Sequence, residues 1–269
     1  MKKQKNYNLI IGAAITGIMI LLIAMGMFYT PYEPNEIDAA AKLAPPSLSH
    51  FLGTDNMGRD IFSRILDGAG TTLFIAVCVV AVGAVLGVIM GALTGYYGGL
   101  LDEILMRVND IIAAFPSVLL ALVFIAILGS GKMNVIIALG ILFIPGFARL
   151  TRGEFVRCKS QEYVKSAKLM GASGSRIMLV HILPNTFPVL FSSIAIGFNN
   201  AVLAEASMSY LGIGVQPPDA SLGRMLSESQ SYIFSAPWYA LSTGITIALL
   251  ILGFILLGEG LKKRSGGNA

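Results

Sequence analysis

The sequence has few charged residues, and this scarcity indicates its class. Only 13% of its 269 residues are Asp, Glu, Lys or Arg, whereas soluble domains contain about 25%. Hydrophobic residues make up 55% of the chain, and the mean hydropathy is +0.75. This composition excludes a soluble globular domain and predicts an all-α, polytopic membrane protein. We therefore expect membrane lipid rather than nucleic acid as a partner, although the net charge is +4.

Cysteine and histidine are also scarce. The two cysteines, Cys78 and Cys158, are isolated in the sequence, so they predict neither a disulfide framework nor a metal site. The two histidines, His50 and His181, fall on opposite sides of the predicted membrane and cannot share a metal ion. No nucleophile has a base at a useful spacing. We expect no metal site, no catalytic residue and no cofactor on this chain, and therefore no enzyme activity.

One glycine-rich turn resembles the end of a phosphate-binding loop. Gly129-Ser130-Gly131-Lys132 fits the last part of the pattern G-x-x-x-x-G-K-[ST]. The pattern also needs glycine where Ala126 stands and serine or threonine where Met133 stands. The sequence therefore predicts a hairpin turn, with no ATP bound through this motif.

Long apolar runs recur along the chain and predict a bundle of six transmembrane helices. About 20 residues of helix cross the hydrocarbon core of a bilayer. The first run is interpreted as a retained span, because a signal peptide has a shorter apolar region and a small-x-small cleavage site. The predicted spans are 9–29, 71–97, 111–128, 133–148, 187–211 and 238–257. A short polar loop with Asp102, Glu103, Arg107 and Asp110 is expected after Gly99, before the third span.

The distribution of Lys and Arg predicts the orientation in the membrane. With the N-terminus in the cytoplasm, 14 of the 19 basic residues lie inside and five outside, as the positive-inside rule requires. Both termini, 1–8 and 259–269, are then cytoplasmic. Segment 30–70 is extracytoplasmic, and a transmembrane core over 71–258 contains a cytoplasmic loop at 149–185.

The end of the extracytoplasmic segment is periodic. Ile61, Phe62, Ile65 and Leu66 share a face at helical spacing, which predicts an interfacial helix that lies flat before the second span.

Four glycines in the second span are spaced four residues apart: Gly83, Gly87, Gly91 and Gly95. Glycines at this period leave a flat strip on a helix, where a neighbouring helix backbone approaches closely. The pattern predicts tight helix packing, either within the subunit or with a partner.

The loop from Ser160 to Asn185 is basic and is the longest polar interruption between apolar runs. Tyr163, Ala167 and Met170 fall on one face at helical spacing, which predicts a short amphipathic helix. Ser160 is expected to cap its start.

The same loop is predicted to turn sharply. Gly171 is expected to end the short helix in a left-handed conformation. Ser173 can then cap a second helix that runs towards Pro184. The result is a helix, a tight turn and a return into the membrane.

Polar residues inside the fifth span are candidates for a transport pathway, because intramembrane carboxylates are costly. Glu205 lies near the outer end of the span with Ser209, and a hydrogen-bonded structural or gate-lining role is favoured. Asn199 and Asn200, about one turn deeper, either line a pathway with Glu205 or hold helices together. A proton-coupled secondary transporter relying on Glu205 and a membrane scaffold are the alternative functions.

A resemblance to a known family rests first on the basic loop. Lys165-Ser166-Ala167 is followed after three residues by Gly171 and after nine more by His181-Ile182-Leu183-Pro184. This resembles the EAA loop of binding-protein-dependent ABC transporter permeases, although Lys165, Ser166 and His181 replace the usual Glu, Ala and Ile. Further stretches resemble the second permease of dipeptide, oligopeptide and nickel importers: Leu52–Asp55, Gly58–Asp60, Gly95–Gly99 and Ser209–Pro218.

The resemblance implies the type I ABC importer permease fold, a location in the cell membrane of a prokaryote, and a set of partners. These are a homologous permease, two ATPase subunits that bind ATP and Mg, and an extracytoplasmic solute-binding protein. The implied cargo is di- or oligopeptides, with nickel or a metal chelate as the alternative. The residues implied to couple this chain to the ATPases are Glu162, Tyr163, Lys165, Ser166, Ala167, Met170, Gly171, Ala172, Leu183 and Pro184.

Overall fold

The computed structural model describes residues 7–264, with side chains described as far as Gly260. The parts of the predicted cytoplasmic termini at 1–6 and 265–269 lie outside this range. Within it, the regular structure is helical apart from one β-bridge between Thr54 and Asp60, so the all-α prediction is confirmed. The helices are α1 Tyr7–Phe28, α2 Ile61–Tyr97, α3 Gly99–Ala114, α4 Ser117–Leu128, α5 Lys132–Lys159, α6 Glu162–Leu169, α7 Gly174–Arg176, α8 Leu183–Tyr210, α9 Leu222–Ser229 and α10 Pro237–Arg264.

Five helical segments of residues 7–264 are long and apolar enough to cross a membrane, or six if α3 and α4 count together. α3 and α4 are bent by 94° at their junction, so the predicted third span, 111–128, is not one straight helix. Phe115 is extended there (φ −88°, ψ 143°), because a residue before proline is pushed out of the α region. The polar loop expected after Gly99 is instead the helix α3.

The predicted interfacial helix is not a separate element. α2 is one helix of 37 residues from Ile61 to Tyr97, and Asp60 caps its start by accepting a hydrogen bond from the Ser63 amide at 2.8 Å. Ile61, Ile65 and Leu66 are buried. The apolar face that predicted a helix lying on the membrane therefore packs against the rest of the chain.

The glycine strip of α2 faces α5. A Cβ atom at Gly95 would lie 2.8 Å from the carbonyl oxygen of Arg152, and one at Gly87 would lie 2.9 Å from that of Ile144. Real Cβ atoms essentially never come this close to backbone, so the two helices can approach only because these positions are glycine. Of the two packing alternatives, the structure therefore shows close packing within the subunit.

α5 runs past the predicted end of the fourth span and carries the first part of the basic segment as helix. Two ion pairs connect this part to α3. Arg152 donates two hydrogen bonds to the Asp102 carboxylate, both 2.6 Å, and Arg149 donates one to Asp110 at 2.8 Å. α3 is therefore held along α5, close to the point where the chain turns into α6.

Candidate coupling elbow and translocation face

The short helix α6 is where the sequence places the contact with a partner. It has eight residues, Glu162–Leu169, and Gln161 stands at its N-cap without a side-chain hydrogen bond. The predicted cap, Ser160, instead donates to the carbonyl oxygen of Arg157 at 2.9 Å. The prediction of a Ser160 cap is wrong, because α5 extends to Lys159 and Ser160 belongs to its end.

The predicted apolar face of α6 is divided between the chain's own core and solvent. Ala167 is buried together with Val164, and both pack in a small core with Phe155, Cys158 and Ile177. The predicted face is divided because α5 and the segment Ile177–Ile182 pack against α6. The periodicity of α6 alone does not reveal these contacts.

The exposed apolar residues lie at the two ends of α6, with Tyr163 at its start and Leu169 and Met170 at its end. Leu169 is 89% exposed, Met170 83% and Tyr163 40%. Leu169 was not singled out from the sequence, although an apolar residue beside Met170 in a polar loop was an available signal. Partial burial raises the pKa of the Tyr163 hydroxyl to about 12.

Gly171 ends α6 in the predicted left-handed conformation, with φ +81°. The Gly171 amide donates to the Lys168 carbonyl and the Ala172 amide to the Ala167 carbonyl, both at 3.1 Å. This pair of bonds is the Schellman motif, which satisfies the last carbonyls of a helix. The turn predicted at Gly171 is confirmed.

The chain then returns towards the bundle, as predicted. Ser173 accepts a hydrogen bond from the Arg176 amide at 3.4 Å and caps α7. A π-helical segment, Ile177–Ile182, joins α7 to α8 without a break. We name the segment from Glu162 to Pro184 the elbow. Of the other residues that the resemblance assigns to it, Leu183 and Ala172 are partly buried against the small core, and the exposed ones are Glu162, Lys165, Ser166 and Pro184.

Glu205 is fully buried, and its surroundings favour a structural role. The Ser209 hydroxyl donates to its carboxylate at 2.7 Å and accepts from the Val215 amide at 3.1 Å. The hydroxyls of Thr72 and Ser221 lie beside the same carboxylate. Glu205 therefore connects α8 to α2 and to the start of α9.

The structure separates the other pathway candidates. Asn200 is exposed and lines a cavity of about 390 Å³ between α5 and α8. Asn199 lines a different cavity, between α8 and α10. Neither cavity includes Glu205 or Ser209 in its lining. The four residues therefore do not line one surface of this subunit.

A buried cluster of charges was not assigned a role from the sequence. Arg59 donates to Asp55 at 2.6 Å and to Glu228 at 3.2 Å. Arg64, which is 1% exposed, lies 3.5 Å from Asp55 and 3.7 Å from Glu228. Glu228 also accepts hydrogen bonds from Tyr239 and Arg224. The cluster joins the segment before α2 to α9 and α10. The sequence feature that could have revealed it is the presence of charged residues directly beside an apolar run.

These features define a class of protein. The chain has apolar spans, a polar elbow outside them and cavities along the spans, and these are the parts of a multi-pass membrane transport subunit. A sequence profile described as "Binding-protein-dependent transport system inner membrane component" matches residues 83–265. The chain belongs to this family of ABC importer permeases, whose members are transport components and not enzymes.

Relatives match over nearly the whole chain. It is 38% identical over 259 residues to the dipeptide transport system permease protein of Alkalihalophilus pseudofirmus, covering 96% of this chain and 85% of the relative. It is 42% identical over 257 residues to the glutathione transport system permease protein of Pectobacterium atrosepticum, covering 93% and 85%.

Solved structures share the fold. An inward-facing methionine ABC transporter superposes with a TM-score of 0.61 at 18% identity, covering 74% of this chain and 94% of the other. An amino acid ABC transporter gives a TM-score of 0.58 at 17% identity, covering 75% and 94%. The predicted importer permease fold is therefore confirmed.

Proposed function

We propose that this chain is one of two permease subunits of an ATP-driven importer for di- and oligopeptides. The dipeptide and glutathione named for its relatives support a peptide cargo. In this proposal a homologous permease completes the pathway, and an extracytoplasmic binding protein delivers the solute. Nickel or a metal chelate stays a prediction as the alternative cargo.

Two ATPase subunits, which bind ATP and Mg, drive the transport in this proposal. The observation that carries it is the elbow, since α6 is attached to its own chain by Val164 and Ala167 and presents Leu169 and Met170 outwards. Two large apolar side chains exposed at the end of a polar helix fit a groove on a partner protein. Because Gly171 and the small core hold α6 rigidly, a push on these side chains moves α5 and α8.

The proposed orientation places the elbow and both termini in the cytoplasm. It rests on the excess of Lys and Arg on the elbow side. It would put the charge cluster at Arg59, Arg64 and Glu228 on the outer side, where the binding protein arrives.

The test is an apolar-to-charged substitution on the elbow. The complete importer with Leu169→Glu, reconstituted in proteoliposomes, is expected to lose ATP-driven uptake of a labelled dipeptide and to retain less ATPase subunit on purification. Leu169→Met, which keeps an apolar side chain, is the matched control and should behave as wild type. Normal uptake by Leu169→Glu would refute docking through this surface.

The same preparation separates the other functions. Uptake by this chain alone in a proton gradient would favour the secondary transporter that relies on Glu205. Partner binding without any uptake by the complete complex would favour the scaffold.

A further inference from the structure

A continuous groove runs along α5 and α8. One cavity of about 390 Å³ and a second of about 380 Å³ share Leu142, Phe143 and Asn200 in their linings, so they meet at Asn200. Each has the size of a small-molecule site, about 300–1,000 Å³. We name the two together the α5/α8 groove. The second cavity also reaches α4 at Ser117.

Polar side chains follow this groove at a regular spacing. Ser193, Asn200 and Ser207 line it from α8, and each is seven residues after the one before. Seven residues are close to two helical turns and advance about 10 Å, so the three lie on one face of α8. Apart from Ser117 on α4, the rest of the lining is apolar, and none of the residues that line either cavity is charged.

Asn200 sits at the middle of this line with its amide unused. No hydrogen bond within the described part of the chain reaches this side chain. Two other amides donate to backbone carbonyl oxygens, Asn109 to Pro145 at 3.3 Å and Asn134 to Leu128 at 2.7 Å. The side chain of Asn199, which lies outside the groove, likewise has no hydrogen bond to a described residue. A polar side chain in a membrane span is costly and marks a solute path or a partner by default. The Asn200 amide is therefore available to a group outside this subunit.

We propose that the α5/α8 groove is this subunit's wall of the solute path, and that Asn200 determines specificity by hydrogen-bonding to the backbone of the passing peptide. This inference rests on the proposed function. An asparagine amide both donates and accepts hydrogen bonds, so it matches the paired N–H and C=O groups of a peptide backbone. Because the lining carries no charge, the groove selects for amide groups and not for the charges of the solute.

A transmembrane helix of the homologous permease is the other candidate occupant, and its chemistry fits less well. All backbone hydrogen bonds of a membrane helix are made within the helix. Its backbone therefore has few free N–H or C=O groups that could bond to the Asn200 amide. The packed surface of α2 in this chain is a flat glycine strip, whereas this groove is concave. An extended peptide, with a rise of about 3.3 Å per residue, exposes unpaired backbone groups along its whole length.

Substitution of Asn200 tests the proposal in the complete importer reconstituted in proteoliposomes. Asn200→Leu keeps the size of the side chain and removes its hydrogen bonds. We expect uptake of labelled alanyl-alanine to fall about tenfold, the value of one good hydrogen bond, with assembly of the complex unchanged. Uptake equal to that of wild type would overturn the proposal.

A second variant obstructs the groove without disturbing the fold. Gly146 lines the groove, and a Cβ atom there would meet nothing within 4 Å. Gly146→Leu should therefore assemble normally and block uptake. Gly17→Leu, on α1 at a position that is equally open, is the control and should transport normally. Normal uptake by Gly146→Leu would count against a path through this groove.

Thiol labelling distinguishes a solute path from a buried subunit contact. In a chain with Cys78→Ser and Cys158→Ala, whose uptake is first matched to wild type, Asn200→Cys should react with a water-soluble methanethiosulfonate, and alanyl-alanine should slow the reaction. Gly17→Cys, on the peripheral helix, should not react. If Asn200→Cys is unreactive and cross-links to the homologous permease, the groove is a subunit contact and the proposal fails.

The two proposals fail in different ways. A wild-type importer that takes up no peptide refutes the proposed function. Wild-type uptake that is unaffected by Asn200→Leu and by Gly146→Leu refutes only the role of the groove.

Discussion

Removing the charge of Glu228 should loosen the end of the bundle where α9 packs against α2 and α10. Its carboxylate accepts hydrogen bonds from Arg224 at 2.9 Å, from Arg59 at 3.2 Å and from Tyr239 at 3.2 Å, and Arg64 lies 3.7 Å away. Breaking a buried ion pair costs about 3–5 kcal/mol, because the remaining charge stays buried. Glu228 is 18% exposed, and Gln keeps part of the hydrogen bonding. We therefore expect Glu228→Gln to lower the free energy of unfolding by about 2–3 kcal/mol.

The assay is thermal unfolding of the purified protein in detergent. A loss of this size should lower the midpoint by about 5–10 °C. Glu36→Gln is the matched control, since Glu36 is exposed and its side chain makes no hydrogen bond or ion pair with a described residue. It should leave the midpoint unchanged. If Glu228→Gln has the same unfolding midpoint as this control, the cluster does not hold α9 to α2.

Two further predictions concern glycines. Gly91→Leu should prevent close packing of α2 on α5, because a Cβ atom there would overlap the Ala148 carbonyl oxygen. The yield of folded protein in detergent should fall sharply, whereas the control Gly17→Leu should give a normal yield. Gly171→Leu should abolish ATP-driven uptake while the protein stays in the membrane, because φ is +81° and a left-handed residue with a Cβ atom is strained by about 1–2 kcal/mol. Gly171→Asn, which tolerates this conformation better, should retain most uptake, and normal uptake by Gly171→Leu would contradict the role of the turn.

Two predictions were wrong because the partner of a residue is distant in the chain. Asp102 and Asp110 predicted a polar loop, yet they lie on α3 and pair with arginines 50 and 39 residues away. Ile61 and Leu66 predicted a helix on the membrane, yet they face their own bundle. In both cases the partner that buries or neutralises the residue is distant in the chain, and no local pattern identifies it.

The positions of most spans and the turn at Gly171 were determined by the sequence alone. Lipid offers no hydrogen bonds to the backbone, so a long apolar run has to form a helix. A left-handed residue after a short amphipathic helix favours glycine for a steric reason that is equally local. These features depend on residues that are neighbours in the chain.

Only the tertiary structure decided which way each helix faces. In the structure the glycine strip of α2 faces α5. On α6, Ala167 is buried and Leu169 is exposed. Asn199 and Asn200 line different cavities. The tertiary structure also assembled the charge cluster around Glu228 from segments about 170 residues apart. Orientation of this kind depends on the total packing of several helices, since the same periodic face can bind lipid, its own chain or a partner.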